Sequence, residues 1–252
     1  MILESKPDKK ICWFENWFDS EYYHLLYINR DFSEAELFIS NLIENLKIPQ
    51  GAKVLDLGCG KGRHSIYLNS KGLNVLGVDL SENSVEKASQ FEKSGLSFKV
   101  GDMREPQGHL EFDYVLNLFT SFGYFESDEE NEKTLKSISD SLKPGGILVL
   151  DFMNAEKVKS NLIPEQFLNR GDVNFEIHKS LENNIIKKKI SFSDKGKNWF
   201  FEEKVQALVQ DDFLGYFRKV QLELVSTFGD YQLHPFNIID SDRLIFVVRK
   251  PD

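Results

Sequence analysis

The hydrophobic and polar residues of this chain follow two different periods. Between residues 53 and 153, short apolar runs alternate with segments whose apolar residues recur at helical spacing. The runs predict strands at 53–58, 74–80, 96–102, 112–119 and 147–153, with helices at 63–71, 81–94 and 128–142. Strands that alternate with helices pair in parallel through right-handed crossovers. This part of the chain therefore predicts a doubly wound α/β sheet.

The remaining segments have a different pattern. Residues 167–209 contain three strand-like runs separated by Asn, Gly and Lys turns, which predict an inserted antiparallel sheet. A helix at 211–221 and an antiparallel pair of strands, "LELVSTFG" and "DRLIFVVRK", follow, so the last strand of the main sheet is expected to be antiparallel.

Upstream of the first strand, residues 13–30 mix aromatic and acidic residues and predict one or two short helices. Ser33 and Glu36 have the spacing of a capping box at the start of another helix. The predicted organisation is a main domain of residues 1–153 and 210–252, with residues 1–50 as a helical cap, and an inserted β subdomain at 154–209 that covers the site as a lid.

Composition narrows the classes of function. Hydrophobic residues make up 41% of the chain and charged residues 28%, and the net charge is −9. An acidic chain is poorly suited to nucleic acid, since neutralising phosphates requires a basic face. Cys12 and Cys59 lack the spacing of a disulfide framework or a zinc site. The polar N-terminal residues and the lack of a long apolar run predict a cytoplasmic protein with no membrane partner.

Residues 54–62, "VLDLGCGKG", form a glycine-rich turn between a strand and a helix. Such a turn presents backbone N–H groups and lets a ligand approach the main chain. A dinucleotide site expects G-x-G-x-x-G, whereas the spacing here is G-x-G-x-G, and no phosphate-binding G-x-x-x-x-G-K-[ST] is present. Asp56 precedes the glycines, and a carboxylate there would repel a diphosphate but attract a cationic ligand.

Acidic residues also end the next strands. Asp79 follows Asp56 by 23 residues, at the position from which a carboxylate accepts both hydroxyls of a ribose. The alternative is that Asp79 only flanks the helix that Ser81 caps. Asp102 and Met103 end the third strand, where they could recognise an adenine amino group and cover the adenine face.

The motifs "VLDLGCGKGRHSIYL", "VLGVDLS", "VGDMRE", "FDYVLNLFTSFGYF" and "LKPGGILVLDF" resemble, in order and spacing, those of class I S-adenosylmethionine-dependent methyltransferases. The resemblance covers residues 53–153 and implies a Rossmann-like methyltransferase sheet with S-adenosylmethionine as cofactor. It also implies a role for each matching position. Asp56 and the loop of Gly58, Cys59, Gly60 and Gly62 would hold the methionine part, Asp79 the ribose, Leu80, Asp102 and Met103 the adenine, and Asn117, Leu118 and Phe119 the sulfonium end.

More narrowly, "GDMRE" and "FTSFGYF" with the inserted sheet are similar to small-molecule N-methyltransferases, among them aminosugar N,N-dimethyltransferases and glycine methyltransferases. This similarity implies in-line transfer of a methyl group to a small amine or hydroxyl acceptor, by a monomer or homodimer. A protein methyltransferase and a non-catalytic cofactor-binding module remain alternatives. A nucleic-acid methyltransferase is disfavoured, because N-P-P-[YF] is absent. A nicotinamide-dependent reductase is disfavoured by the glycine spacing.

The acceptor side is less well defined by the sequence. Tyr23 and Tyr27 share a helix face. The resemblance implies that they contact the carboxylate end of the cofactor, whereas the alternative is that both are buried packing residues. Tyr22 is a further candidate for the pocket lining, and Arg30 is a further candidate for binding the cofactor carboxylate. Tyr124, His178 and His234 are candidates for a base or a hydrogen bond to substrate. Three aromatic residues of the inserted sheet are candidates for pocket walls or, more simply, for core: Phe192, Trp199 and Phe201.

Overall fold

A seven-stranded sheet forms the centre of the computed structural model, which describes residues 17–27, 32–125 and 127–252. Cys12 and Arg30 lie outside these residues. The strands are β1 Lys53–Leu57, β2 Asn74–Asp79, β3 Leu96–Val100, β4 Phe112–Asn117, β5 Leu142–Met153, β10 Glu223–Phe228 and β11 Arg243–Arg249. Their order in the sheet is β10-β11-β5-β4-β1-β2-β3, and β11 runs antiparallel to both of its neighbours while the other pairs are parallel. The predicted doubly wound sheet with an antiparallel last strand is confirmed.

Helices pack against this sheet and precede it. They are α1 Glu21–Leu26, α2 Phe32–Leu46, α3 Arg63–Ser70, α4 Glu82–Ser89, α5 Asp128–Ser141, α6 Ala155–Ser160 and α7 Gln210–Lys219. Ser20 and Ser81 cap α1 and α4, since their hydroxyls accept hydrogen bonds from backbone N–H groups of the first turn. Within the described residues, no helix combines the length and the apolar character needed to cross a bilayer.

Several predicted boundaries were wrong. Helix α2 already includes Phe32, so Ser33 lies inside its first turn rather than at the cap. Helix α4 ends at Ser89 instead of 94, because Lys93 and Leu96 form a tight turn around Gly95 at φ +75°. Strand β5 begins at Leu142, and its pairing with β4 shifts register across the "KPGG" segment.

A separate four-stranded antiparallel sheet, the second sheet, contains β6 Glu165–Arg170, β7 Val173–Glu182, β8 Ile185–Asp194 and β9 Lys197–Gln206. The sequence predicted three strands here. The first predicted run is in fact two strands, because Gly171 adopts φ +58° and reverses the chain between β6 and β7.

Three hydrophobic clusters account for most of the core. Two lie on opposite faces of the main sheet and include Phe152 and Phe213 on one side and Phe38 and Leu116 on the other. The third joins the second sheet to residues 17–27, which we call the cap. Trp17, Tyr22 and Leu26 of the cap are buried there, and Trp17 Nε1 donates a hydrogen bond of 2.6 Å to Glu203. The cap is therefore anchored on the second sheet.

Candidate active site

The carboxyl ends of β1, β2, β3 and β4 surround a cavity of about 580 Å³. It lies where strand order reverses between β1 and β4, which is the usual ligand position in open α/β sheets. The cavity has a strand-end wall, built by the main sheet and its loops, and a cap wall, to which the cap contributes Phe18, Tyr23, His24 and Tyr27.

The glycines of the loop after β1 serve different purposes, although all have a positive φ. A Cβ on Gly58 would come within 2.8 Å of Ser121 Cβ, and one on Gly62 within 2.7 Å of the Phe98 ring. A Cβ on Gly60 would meet no atom within 4 Å. Gly58 and Gly62 thus permit close packing inside the protein. Gly60 leaves room for a ligand against the backbone, and with Gly58 and Cys59 it lines the cavity.

Asp79 occupies the tip of β2 and lines the cavity beside Leu80. One carboxylate oxygen accepts a hydrogen bond from the Gly60 N–H at 2.8 Å, and the other from the Ser81 N–H at 2.9 Å. Burial raises the pKa of this carboxyl above its usual value. The carboxylate therefore both fixes the glycine loop to the start of α4 and keeps acceptor capacity toward the cavity.

Asp56 is placed differently from what the sequence suggested. Its carboxylate is 1% exposed, accepts a 2.5 Å hydrogen bond from Ser65 Oγ, and is absent from the cavity wall. Burial raises its pKa to about 6. The Asp56 side chain therefore lies behind the cavity wall, where its hydrogen bond with Ser65 joins β1 to the first turn of α3.

Asn117 and Gly62 also lie behind the wall rather than in it. Asn117 is fully buried, and its Nδ2 donates to the Leu57 carbonyl at 2.9 Å, which joins the ends of β4 and β1. Leu118 and Phe119, which follow Asn117, do line the cavity.

Asp102 and Met103 line the cavity beyond β3. Arg104 folds back onto Asp102, with Nη2 at 2.6 Å and Nε at 3.0 Å from its carboxylate oxygens. Burial alone would raise the pKa of Asp102, but the hydrogen bonds from Arg104 hold it below its usual value. Much of the acceptor capacity of this carboxylate is therefore already used by Arg104.

Aromatic side chains dominate the cap wall and the loop after β4. The rings of Tyr23 and Tyr27 are 5.0 Å apart, and Phe18 lies 5.3 Å from Tyr124, which also lines the cavity. The Tyr27 hydroxyl donates to Glu203 of β9 at 2.8 Å. Tyr22 faces away from the cavity, in the third cluster, and donates to Asp194 at 2.7 Å.

The cap also contacts the main sheet's helices. Asp19 accepts a 2.6 Å hydrogen bond from Ser81 Oγ and another from Asn83 Nδ2, at the start of α4. His24 faces the cavity, where burial and then the positive charges of Lys61 and Lys87 lower its pKa to about 4. These contacts close the cavity on the α4 side.

The histidine candidates are not brought together with the cavity. His178 lies on the second sheet with Nε2 2.8 Å from Glu176, and His234 lies in the β10–β11 loop with Nδ1 2.7 Å from Asp230; both are exposed. His178, Glu165 and Glu176 bring possible metal-ligating atoms within 4.8 Å of one another, on an exposed surface that also carries Lys189 opposite His178.

The aromatic candidates of the second sheet pack in the third cluster and do not line this cavity. Phe192, Trp199 and Phe201 stack against one another, and Trp17 and Tyr22 of the cap contact Phe201 and Trp199 with tilted rings. Their structural role, the simpler alternative from the sequence, is what the structure shows.

Some cavity residues were not singled out from the sequence as binding residues. His64, in the first turn of α3, is 6% exposed and lines the cavity, and burial lowers its pKa to about 3, so its imidazole is neutral. Arg63 lies beside it, with its guanidinium 4.5 Å from the Phe119 ring. Both follow the glycine loop directly, which is the signal that could have identified them. Phe18 and His24 carry no comparable sequence signal.

A doubly wound sheet with a ligand cavity at its strand ends, an open glycine loop and an acid at the end of β2 defines a protein that binds a nucleoside-containing ligand. Its fold is that of an S-adenosylmethionine-dependent methyltransferase from Clostridium acetobutylicum, with a TM-score of 0.79 and 22% identity over 94% of this chain and 99% of that one. The family model for the methyltransferase domain matches residues 48–200. The chain belongs to this family, whose members take the methyl group from S-adenosylmethionine.

Curated relatives agree with this family. A putative methyltransferase of Bacillus subtilis, YqeM, is 38% identical over 114 residues, and a dTDP-3-amino-3,4,6-trideoxy-alpha-D-glucopyranose N,N-dimethyltransferase of Streptomyces venezuelae is 28% identical over 134. These matches span 44% and 52% of this chain but only 46% and 56% of the relatives, about half of their length. A glycine/sarcosine N-methyltransferase of Aphanothece halophytica is 29% identical over 88% of this chain and 83% of its own.

Proposed function

We propose that this protein transfers a methyl group from S-adenosylmethionine to a small-molecule amine. The observation that carries the proposal is the cavity of about 580 Å³, which combines a nucleoside-type wall with an aromatic wall. The names of two relatives, a sugar N,N-dimethyltransferase and a glycine/sarcosine N-methyltransferase, support an amine as the acceptor. Aromatic rings around a small site also suit an amine that becomes more methylated and cationic.

The residues of the strand-end wall fit the cofactor. The open space at Gly60 accommodates a group against the backbone, and the Asp79 carboxylate can accept hydrogen bonds from ribose hydroxyls. Leu80 and Met103 offer apolar contact to adenine. Asp56 and Asn117 act indirectly in this proposal, by fixing the loop and the strand ends that hold those groups.

The cofactor, when bound, supplies a methyl group on a positively charged sulfur. The protein's part is to align the acceptor and to exclude water, and such positioning can contribute roughly 7–11 kcal/mol to lowering the barrier. An amine must be neutral to attack, so an acceptor that arrives as an ammonium must lose one proton before the transfer. Tyr124 is the candidate that remains at the cavity, and we assign it a hydrogen bond to the acceptor.

The predicted division of the chain becomes part of the same proposal. Residues 1–153 and 210–252 would bind the cofactor, and residues 154–209 would support the cap over the acceptor. A cytoplasmic location and a monomeric or homodimeric state stay predictions from the sequence.

Calorimetry with S-adenosylhomocysteine, the demethylated product, tests the cofactor site. We expect wild-type protein to bind at about micromolar level and Asp79→Ala to bind about tenfold or more weakly, since a hydrogen-bonded pair with a charged acceptor is lost. Asp172→Ala, at an exposed turn of the second sheet, is the matched control and should bind like wild type. Absence of binding to wild type, or preferential binding of NADH, would contradict the proposal.

A labelled-methyl transfer screen tests the acceptor class. Amines, aminosugars, phenols and carboxylates are offered separately with labelled S-adenosylmethionine, and the amine-containing acceptors are expected to take the label. Transfer to phenols or carboxylates alone would replace the amine in this proposal. Binding without transfer to any acceptor would favour the cofactor-binding module.

A further inference from the structure

The turn after β4 has an unusual backbone. Phe119 and Thr120 both lie in the left-handed region, at φ 65° and 60°. Few residues other than glycine adopt this conformation, and for a β-branched residue such as threonine it is an outlier. A strained turn of this kind persists only where its surroundings determine it strongly.

Asp151, on β5, provides such surroundings. Its side chain is fully buried, and Oδ2 accepts a hydrogen bond from the Phe119 N–H at 2.8 Å. Its backbone carbonyl accepts another from the Thr120 N–H at 2.9 Å. One residue of the neighbouring strand therefore receives the N–H groups of both strained residues.

Arg243, on β11, completes the arrangement. Its Nε donates to Asp151 Oδ1 at 2.7 Å, and its Nη2 donates to Thr120 Oγ1 at 2.9 Å. The Tyr231 hydroxyl donates a further bond of 3.2 Å to Asp151 Oδ2. Arg243 and Tyr231 therefore both bind the Asp151 carboxylate, and Arg243 also binds the strained turn through Thr120.

The position of this turn affects two parts of the cavity. Phe119 lines it, and its ring faces the Arg63 guanidinium at 4.5 Å. Ser121, the next residue after the strained pair, packs closely on Gly58. A Cβ atom added to Gly58 would lie 2.8 Å from the Cβ atom of Ser121. A shift of the turn would therefore move both the cavity wall and the glycine loop.

We infer that Asp151 is a positioning residue of the methyl-transfer site: with Arg243 it holds Phe119 and Thr120 in the left-handed conformation that shapes the cofactor cavity. The inference concerns a side chain that touches neither the cavity nor the reacting atoms. The expected effect of Asp151 on ligand binding rests on the proposed function, but its effect on the backbone of the turn does not.

The test compares Asp151→Asn with wild type. The amide of asparagine places an N–H₂ donor where the carboxylate accepted bonds, so either Arg243 or the Phe119 N–H loses its partner. Hydrogen exchange without ligand should show the Phe119 and Thr120 amides exchanging about tenfold or more faster. Calorimetry should show S-adenosylhomocysteine binding about tenfold more weakly. Asp113→Asn is the control, because Asp113 also pairs with a cation, Lys143, but lies near the start of β4, at the other end from Phe119.

Rescue separates positioning from general damage. Glycine adopts the left-handed region without strain. The double variant Asp151→Asn with Thr120→Gly should therefore bind S-adenosylhomocysteine at least threefold more tightly than Asp151→Asn alone. If Asp151→Asn does not fold, Tyr231→Phe removes one bond to Oδ2 and should speed exchange at Phe119 by about twofold or more.

Unchanged exchange of both amides in Asp151→Asn, or in Tyr231→Phe should that replace it, would overturn the inference. So would faster exchange with unaltered affinity, or a loss of affinity that Thr120→Gly does not relieve. Failure of wild type to bind the product would instead count against the proposed function, because the exchange measurement needs no ligand.

Discussion

The two walls of the cavity are built in different ways. The strand-end wall depends on the backbone: glycines at positive φ, a carboxylate that receives main-chain N–H groups, and strands whose ends are joined by buried side chains. The cap wall depends on side chains, mostly aromatic rings that reach the cavity from a short helix. That helix is anchored on the second sheet by a hydrophobic cluster separate from the two that pack on the main sheet.

This difference separates the tasks that we propose for the two walls. A site made from backbone geometry accepts few substitutions, which suits a cofactor shared by a family. A site made from aromatic side chains on a separate support can change without disturbing the main sheet. The acceptor specificity would then lie with the cap and its contacts, and donor binding with the strand ends.

The largest expected effect comes from Phe175, a fully buried residue of the third cluster. Replacing a buried phenylalanine by alanine leaves a cavity and costs about 3–5 kcal/mol. If the cap and second sheet form their own cooperative unit, Phe175→Ala should speed amide exchange in β7 and β8 and leave β1 and β4 protected. Hydrogen exchange read strand by strand measures this directly.

Phe152→Ala is the control for that comparison, since Phe152 is equally buried in the main-sheet core. It should speed exchange in the main sheet. Equal acceleration of both sheets by Phe175→Ala would show that the cavity walls unfold together, and the separation argued above would be lost.

A smaller effect distinguishes the histidines of the two walls. Burial lowers the pKa of His64 to about 3, against about 6.5 for an unfolded histidine, so the folded state holds it neutral. Its contribution to stability is therefore present above pH 6.5 and is lost as pH falls toward 3. Between pH 7 and pH 5 this amounts to about 2 kcal/mol. His64→Gln should flatten the pH dependence of the unfolding free energy by that amount.

His24 on the cap wall provides the matched variant. Its pKa is lowered to about 4 with the same sign, so its contribution to stability is lost between pH 6.5 and about pH 4. Between pH 7 and pH 5 His24→Gln should flatten the curve at most as much as His64→Gln, and below pH 4 it should flatten the curve less. Denaturant unfolding at several pH values measures both. A His24 effect below pH 4 that is equal to or larger than that of His64 would contradict the idea that the strand-end wall is the more firmly buried one.

Sequence patterns predicted the strand-end wall far better than the cap wall. The glycine loop, Asp79 and the ends of β3 and β4 are local features, and strand ends of one sheet must meet at one edge. Asp56 shows the limit of this reasoning, because its position in the motif was clear but its burial against Ser65 was not. The direction of a side chain depends on packing that a motif does not encode.

The contacts that hold the cap wall in place and the Asp151 network could not be predicted for a further reason. Tyr27 meets Glu203 across 176 positions of sequence, and Arg243 meets Thr120 across 123. No periodicity links such residues, so their proximity follows only from the folded topology. The strained turn at Phe119 and Thr120 was equally invisible, since neither residue is one that normally signals a positive φ.

The smallest expected effect concerns the contact that joins the two walls. Asp19 of the cap accepts hydrogen bonds from Ser81 and Asn83 at the start of α4, close to Asp79. Asp19→Ala removes both bonds but leaves Ser81 as the N-terminal capping residue of α4, since its hydroxyl still accepts a hydrogen bond from the Ser84 N–H at 3.0 Å. About 1 kcal/mol of the attachment of the cap to α4 should be lost, which corresponds to roughly fivefold weaker binding of S-adenosylhomocysteine.

Because Asp19 belongs to none of the three hydrophobic clusters, Asp19→Ala should leave the unfolding of the main sheet unchanged while the product dissociates faster. Stopped-flow dissociation of the product and thermal unfolding of the same samples measure these two quantities separately. Asn83→Ala should release the product faster than wild type but more slowly than Asp19→Ala, also with unchanged unfolding. If Asp19→Ala releases the product at the same rate as wild type, the aromatic contacts of the cap are sufficient to hold it against the cavity. The cap wall would then be held entirely by the second sheet, and the two walls would meet without a polar contact of consequence.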